Sequence, residues 1–129
     1  MDFNPEDFYK MQLEQLAILR WHLKRRPSQI CPDPQPYIWF LLGGRGSGKT
    51  LTAASHIFET AVNLPDTPEN RIVRVALVGQ TYEDVKKTMI EGATGLRSVI
   101  PQELELKWNR TLGELTYVIK EPFYREIYF

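Results

Sequence analysis

The chain has 129 residues, the size of one small domain, which excludes a two-domain enzyme with its own complete lid or nuclease. Hydrophobic residues make up 43% and charged residues 25%, a globular composition, and no apolar run approaches the ~20 residues of a spanning helix. Lys plus Arg is 16 and Asp plus Glu is 16, so no overall basic field draws nucleic acid, and any such contact needs a local patch. No charged-then-apolar signal segment opens at Met1, and Cys31 has no second cysteine to pair with. This fits a reducing compartment, with Cys31 an ordinary small side chain rather than a nucleophile.

In chain order, residues 3–26 read as a helix. Pro5 suits the first turn, Glu6 and Asp7 favour the positive end, and Lys24, Arg25 and Arg26 favour the negative end. Leu13, Leu16, Ala17, Leu19, Trp21 and Leu23 supply an apolar stripe. Pro27 stops the helix, and Pro27–Pro36, with Pro32 and Pro34, reads as an extended linker. The run Tyr37–Leu42 is apolar without alternation, aromatic and β-branched, and predicts a buried parallel strand. A glycine-rich turn follows, then a helix over Leu51–Asn63 with Leu51, Ala54, Ile57, Phe58 and Ala61 on one side.

Residues 64–70 read as a loop and residues 71–79 as a second apolar strand. Thr81 and Asp84 have capping-box spacing and open a helix through about Glu91. Strand, helix, strand, helix argues an α/β fold with a mainly parallel sheet flanked by helices. After Pro101 the short segments Leu106–Trp108, Leu115–Lys120 and Phe123–Phe129 are expected as antiparallel strands. The organisation is therefore 1–36, a helix and Pro-rich linker, and 37–129, the sheet-forming core.

Chemistry concentrates in Gly43-Gly44-Arg45-Gly46-Ser47-Gly48-Lys49-Thr50, which fits G-x-x-x-x-G-K-[ST] between a predicted strand and a predicted helix. The glycines let backbone N–H groups converge on phosphate oxygens, and the helix beginning near Lys49 adds its positive end. Lys49 would neutralise the β and γ phosphates, and Thr50 would offer its hydroxyl to Mg²⁺. Nucleotide phosphate, ATP with Mg²⁺, is the expected ligand. Arg45 has two readings: a solvated loop charge, or a guanidinium beside the γ-phosphate that stabilises the transition state.

Trp39-Phe40-Leu41-Leu42 running into Gly43–Thr50 resembles the P-loop of tailed-phage terminase large subunits, the DNA-packaging motors. Val75–Thr81, Tyr82–Glu91 and Gly92-Ala93-Thr94-Gly95-Leu96 resemble the strand, helix and E-G-x-x-G-L stretch that follow it in that family. Arg26-Pro27-Ser28-Gln29 resembles the family's adenine-contacting segment. The resemblance covers roughly residues 15–120.

The resemblance implies a P-loop NTPase-type fold, Gln29 as adenine reader (beside the plain reading of a solvated linker glutamine), Arg45 as finger or sensor, and Lys49 and Arg45 in catalysis. It offers Thr81 a part in linking nucleotide to DNA, beside a plain helix N-cap. It also implies double-stranded viral DNA, a portal and a small terminase subunit as partners, a homo-oligomer on the capsid, and the host cytoplasm as location. No membrane contact is expected.

One departure stands out. No apolar strand ending in Asp or Asp-Glu follows residue 81, and no His/Asp/Glu cluster suggests the family's nuclease. Glu91, Glu103, Glu105, Glu114 and Glu121 read as surface charges. The chain reads as an incomplete ATPase domain, its front half. The alternative is a truncated or split nucleotide-binding fragment without turnover. A small P-loop kinase would need an acceptor site and an Arg-rich lid, which the sequence does not offer.

Weaker features have plain explanations. Lys24-Arg25-Arg26 suits a helix C-terminus as well as a phosphate backbone. His22 and His56 lack metal-ligand spacing, and the aromatic tail Tyr117, Phe123, Tyr124, Tyr128 and Phe129 suits alternating sheet residues.

Overall fold

The structure, a computed structural model, describes residues 4–44, 46–104, 106–120 and 124–129. Helix α1 spans Pro5–Lys24. Asn4 caps it by accepting the Glu6 N–H at 3.0 Å, and Pro5 occupies the first turn, where its missing N–H costs nothing. The helix stops before Pro27 because Arg25 and Arg26 are already extended, as residues leading into proline tend to be. Its inward face keeps half of the expected stripe, Leu13, Ala17 and Trp21. Glu14, Ile18 and Trp21 are buried, with Leu13 and Ala17 packed beside them, whereas Leu16, Leu19 and Leu23 are exposed. The i, i+4, i+7 spacing of the buried set is one helical face; the leucines lie around the cylinder from it.

Within the expected linker, Pro27–Gln29 forms a 3₁₀ turn. Helix α2 covers Lys49–Val62, starting two residues earlier than expected, and buries Thr52, Ala54, Ser55, Phe58, Ala61 and Val62. Strand β1 is only Ile72–Arg74. Thr81 caps the short helix α3, Tyr82–Asp84, by accepting the Asp84 N–H at 3.1 Å; a π-helical turn over Val85–Ile90 continues it. Helix α4 is Leu96–Val99. Strands β2, Lys107–Asn109, β3, Glu114–Ile119, and β4, Arg125–Tyr128, fall within a residue or two of the three expected segments; Phe123 lies outside the described residues.

The sheet runs β1-β4-β3-β2. β2–β3 and β3–β4 are antiparallel and β1–β4 is parallel, with Tyr117 and Val73 both opposite Ile127. The fold class is thus α/β, but the sheet is mixed rather than mainly parallel. Two expectations account for the difference. Tyr37–Leu42 forms no strand and is not buried, with Tyr37, Ile38, Phe40 and Leu42 exposed. The second strand is cut from residues 71–79 to 72–74, because β4 offers ladder partners only at Glu126, Ile127 and Tyr128. One further bond, Val75 N–H to the Tyr128 carbonyl at 2.8 Å, ends the pairing.

One core joins these elements. Phe58, Ala61 and Val62 of α2 meet Leu115, Tyr117 and Ile119 of β3, Ile127 and Phe129, with Ile90, Leu96, Ile100 and Leu104 closing one side. Ile18 brings α1 into the same cluster. The packing places the N-terminus of α2, and the loop before it, outside the core. No described helix is long and apolar enough to cross a membrane.

Candidate functional site

The loop over residues 43–50 leads into α2. Gly46 and Gly48 adopt left-handed φ values of 81° and 88°, a region that side chains with a Cβ avoid. Gly48 is the N-cap of α2, and no side chain caps that end, so the first-turn N–H groups are left to solvent or a ligand. Its carbonyl accepts both the Thr52 N–H at 2.9 Å and the Thr52 hydroxyl at 2.7 Å. The Ser47 N–H closes a tight turn onto the Gly44 carbonyl at 3.2 Å. A Cβ on Gly43 would stand 2.5 Å from Ser47 Oγ and 3.0 Å from Ser47 Cβ, so a larger residue there would push the Ser47 side chain aside.

Three polar groups converge on this loop. The Lys49 ammonium folds back and donates to the Gly43 carbonyl at 2.6 Å, so the cation lies across the loop it follows. Ser47 Oγ is buried without a hydrogen-bond partner among the described residues, an orphan that normally costs about 1–3 kcal/mol. The Arg26 guanidinium, reaching over from the 3₁₀ turn, donates to the Ser47 carbonyl. Cationic side chains, uncapped helical N–H groups and an unsatisfied hydroxyl form a set suited to a phosphate-bearing anion. Thr50 is half-buried beside Lys49, where Leu41, Ala53, Ile57 and Leu77 line a cavity of about 280 Å³. Its hydroxyl is the group in this set suited to a metal riding on the phosphates, since Mg²⁺ takes few protein ligands and keeps phosphate and water oxygens.

The structure therefore brings together Gly43, Gly44, Gly46, Ser47, Gly48, Lys49 and Thr50, as one unbroken segment must. Arg45 lies outside the described residues. Gln29, distant in sequence, does arrive at the loop: its amide nitrogen sits 2.8 Å from where a Gly48 Cβ would be. Both ends of that amide are engaged within the protein, Nε2 donating to Thr52 Oγ1 at 2.9 Å and Oε1 accepting the Arg26 N–H at 2.8 Å.

Other residues find structural employment. His22 Nε2 meets Glu59 Oε1 at 2.5 Å, tying α1 to α2. The His56 ring lies edge-on to Trp39 at 5.3 Å, and burial lowers its proton affinity below the ordinary histidine range. Cys31 is half-buried and free. Among the described residues, no three His, Cys, Asp or Glu side chains cluster as metal ligands. Glu91 and Glu103 are exposed, and Glu114 pairs with Arg74 at 3.4 Å, while Glu105 and Glu121 lie outside the described residues.

Two residues carry more than the sequence reading assigned them. Arg125 is fully buried and donates to the carbonyls of Ala61, Val62, Leu64, Pro65 and Asn70, closing the C-terminal end of α2 and the loop after it. The available signal was period two: Arg125 shares its strand face with Ile127 and Phe129, which places a cation among core residues. Glu14 is also buried, accepting the Tyr117 hydroxyl, and its place on the Leu13–Ala17 side of α1 gave the corresponding hint.

Comparison with protein-family models, with curated proteins and with solved structures finds no match to this chain.

Proposed function

We propose that the chain is the nucleotide-binding part of a P-loop ATPase of the terminase large-subunit kind, holding ATP with Mg²⁺ on residues 43–50. The observation that carries this is the loop itself: left-handed Gly46 and Gly48 lead into the uncapped end of α2, with the Lys49 ammonium lying across to Gly43. Lys49 exchanges the Gly43 carbonyl for phosphate oxygens, which accept a charge-assisted bond more strongly. The N–H groups at the start of α2 and Ser47 Oγ donate to the same oxygens, satisfying groups otherwise without partners. Thr50 turns its hydroxyl to Mg²⁺, and Arg45 supplies the further cation of the loop. Bound ATP supplies the phosphoryl group whose transfer to water releases the free energy for work.

In the complete motor this energy would drive double-stranded viral DNA into a procapsid. The resemblance of residues 15–120 implies a portal and a small terminase subunit as partners, a homo-oligomer on the capsid and the host cytoplasm as location. A second reading, a truncated or split fragment that binds nucleotide without turnover, is favoured by the exposure of Glu91 and Glu103 and the pairing of Glu114 with Arg74. None of these three is held at the loop to orient an attacking water.

Titration with a fluorescent ATP analogue tests the phosphate cradle. Lys49→Ala removes a charge-assisted contact worth about 1.5–3 kcal/mol, so Kd rises roughly ten- to a hundredfold. Equal affinity for the two proteins would reject it.

A further inference from the structure

Arg26 and Gln29 belong to a turn far from residues 43–50 in sequence, yet both bond to that loop or to its first supporting residue. Arg26 donates to the Ser47 carbonyl. Gln29 Nε2 donates to Thr52 Oγ1, and the Thr52 hydroxyl donates in turn to the Gly48 carbonyl at 2.7 Å. Thr52 is 1% exposed, so this relay is shielded from competing water along its inner half. The Arg26 N–H to Gln29 Oε1 bond orients the amide so that its nitrogen faces Thr52. Two consecutive loop carbonyls are thereby engaged, that of Ser47 by Arg26 and that of Gly48 by Thr52, whose hydroxyl Gln29 holds in turn.

Peptide planarity gives this a consequence. In a trans peptide the N–H of residue i+1 points opposite to the C=O of residue i. Holding the Ser47 carbonyl toward Arg26 therefore aims the Gly48 N–H away from the turn, and holding the Gly48 carbonyl toward Thr52 aims the Lys49 N–H away from the body of α2. Those are among the donors a phosphate would use at the start of α2. With one bond at each end, the Gln29 amide keeps one N–H and one oxygen lone pair free, so a ligand that carries no base is what separates bracing of the loop from contact with a base.

We infer that the Arg26–Gln29 turn is a brace that sets the conformation of the phosphate loop, with Gln29 a positioning residue acting through Thr52 on the Gly48 peptide. The inference rests on the phosphate-binding reading of residues 43–50, and it specifies the ligand feature that the turn serves: the polyphosphate, whatever base it carries.

The experiment uses the 129-residue chain with Q29A, T52V, T52S and the Q29A/T52V pair, titrated with ATP, GTP and inorganic tripolyphosphate. Loss of one relay bond is expected to weaken all three ligands alike, about three- to tenfold, in Q29A and in T52V. T52S, which keeps the hydroxyl, stays near wild type, and the double variant is no worse than either single one. Hydrogen exchange without ligand gives an independent readout. The Thr52 amide, bonded to the Gly48 carbonyl at 2.9 Å, exchanges faster in Q29A and T52V by a larger factor than the amides of β3, which report any global loss of stability. If Q29A weakens ATP alone and spares tripolyphosphate, Gln29 reads adenine and the brace is wrong. If wild type binds no tripolyphosphate, the phosphate-loop reading fails, and Thr52 exchange still decides the brace: unaltered exchange in both variants overturns it.

Discussion

Glu14 is 3% exposed, and its carboxyl accepts a hydrogen bond from the Tyr117 hydroxyl across the interface between α1 and β3. Burial pushes its pKa up from 4.5 to about 7, with the Tyr117 bond opposing only in part. Asp7 and Lys10 of α1 and Lys107, Lys120 and Tyr124 of the sheet region line the cavity beside it, and the lysines do not outweigh the burial. The folded state thus holds the proton more tightly than the unfolded chain. This contribution to stability is complete below pH 4.5 and is lost as pH rises through about 7, amounting to roughly 3 kcal/mol. Urea midpoints for wild type and Glu14→Gln should diverge across that window, since the glutamine oxygen still accepts from Tyr117 but does not ionise. Parallel curves would show that Glu14 does not titrate there. Arg125 makes a second prediction at this scale. Arg125→Met strips donors from five carbonyls around the end of α2 and should cost about 3 kcal/mol in chemical denaturation, a large share of a small domain's ~5–15 kcal/mol. A change below about 0.5 kcal/mol, the scale of an ordinary surface substitution, would contradict this role.

At the scale of elements, composition and position pull apart in Tyr37–Leu42. An apolar, aromatic, β-branched run describes a strand buried on both faces, but such burial needs a ladder partner and two covering layers. The described sheet ends at β1, and Tyr37 and Leu42 are 102% and 91% exposed. Its backbone groups are absent from the ladder, so the amides of residues 37–42 should exchange rapidly, in contrast to β3, which is bonded on both sides. Protection of that segment equal to β3 in a verified monomer would contradict the arrangement. The C-terminal strands show the reverse case. Leu115, Tyr117 and Ile119 alternate inward in the period-two pattern, and the pairing falls on neighbours in sequence, so local pattern and fold agree.

For the molecule as a whole, the candidate site lies at one end of α2 and the Arg125 closure at the other, with the core between them. Phosphate binding and turnover make separate demands. Binding needs the loop, while hydrolysis also needs a carboxylate placed on the attacking water. The expected outcome is saturable ATP binding with little or no steady-state hydrolysis by the 129-residue chain in the presence of magnesium. Robust hydrolysis that disappears in Lys49→Ala would assign a glutamate of this chain to catalysis.

The loop, the helix after it and the C-terminal strands were legible from sequence because each depends on near neighbours. Glycine stereochemistry places a left-handed residue at Gly48, period 3.6 places α2, and period two places β3. The cap at Thr81 was legible for the same reason. Tertiary structure alone decided that β1 pairs with β4, that Arg26 bonds the Ser47 carbonyl and Gln29 bonds Thr52, that α1 leaves Leu16, Leu19 and Leu23 exposed, and that Tyr37–Leu42 stays unpaired. Each of these depends on which distant surface supplies the partner. Local preference amounts to tenths of a kcal/mol per residue, whereas burial of a large side chain contributes about 1.5–3 kcal/mol, so the distant partner wins where the two conflict.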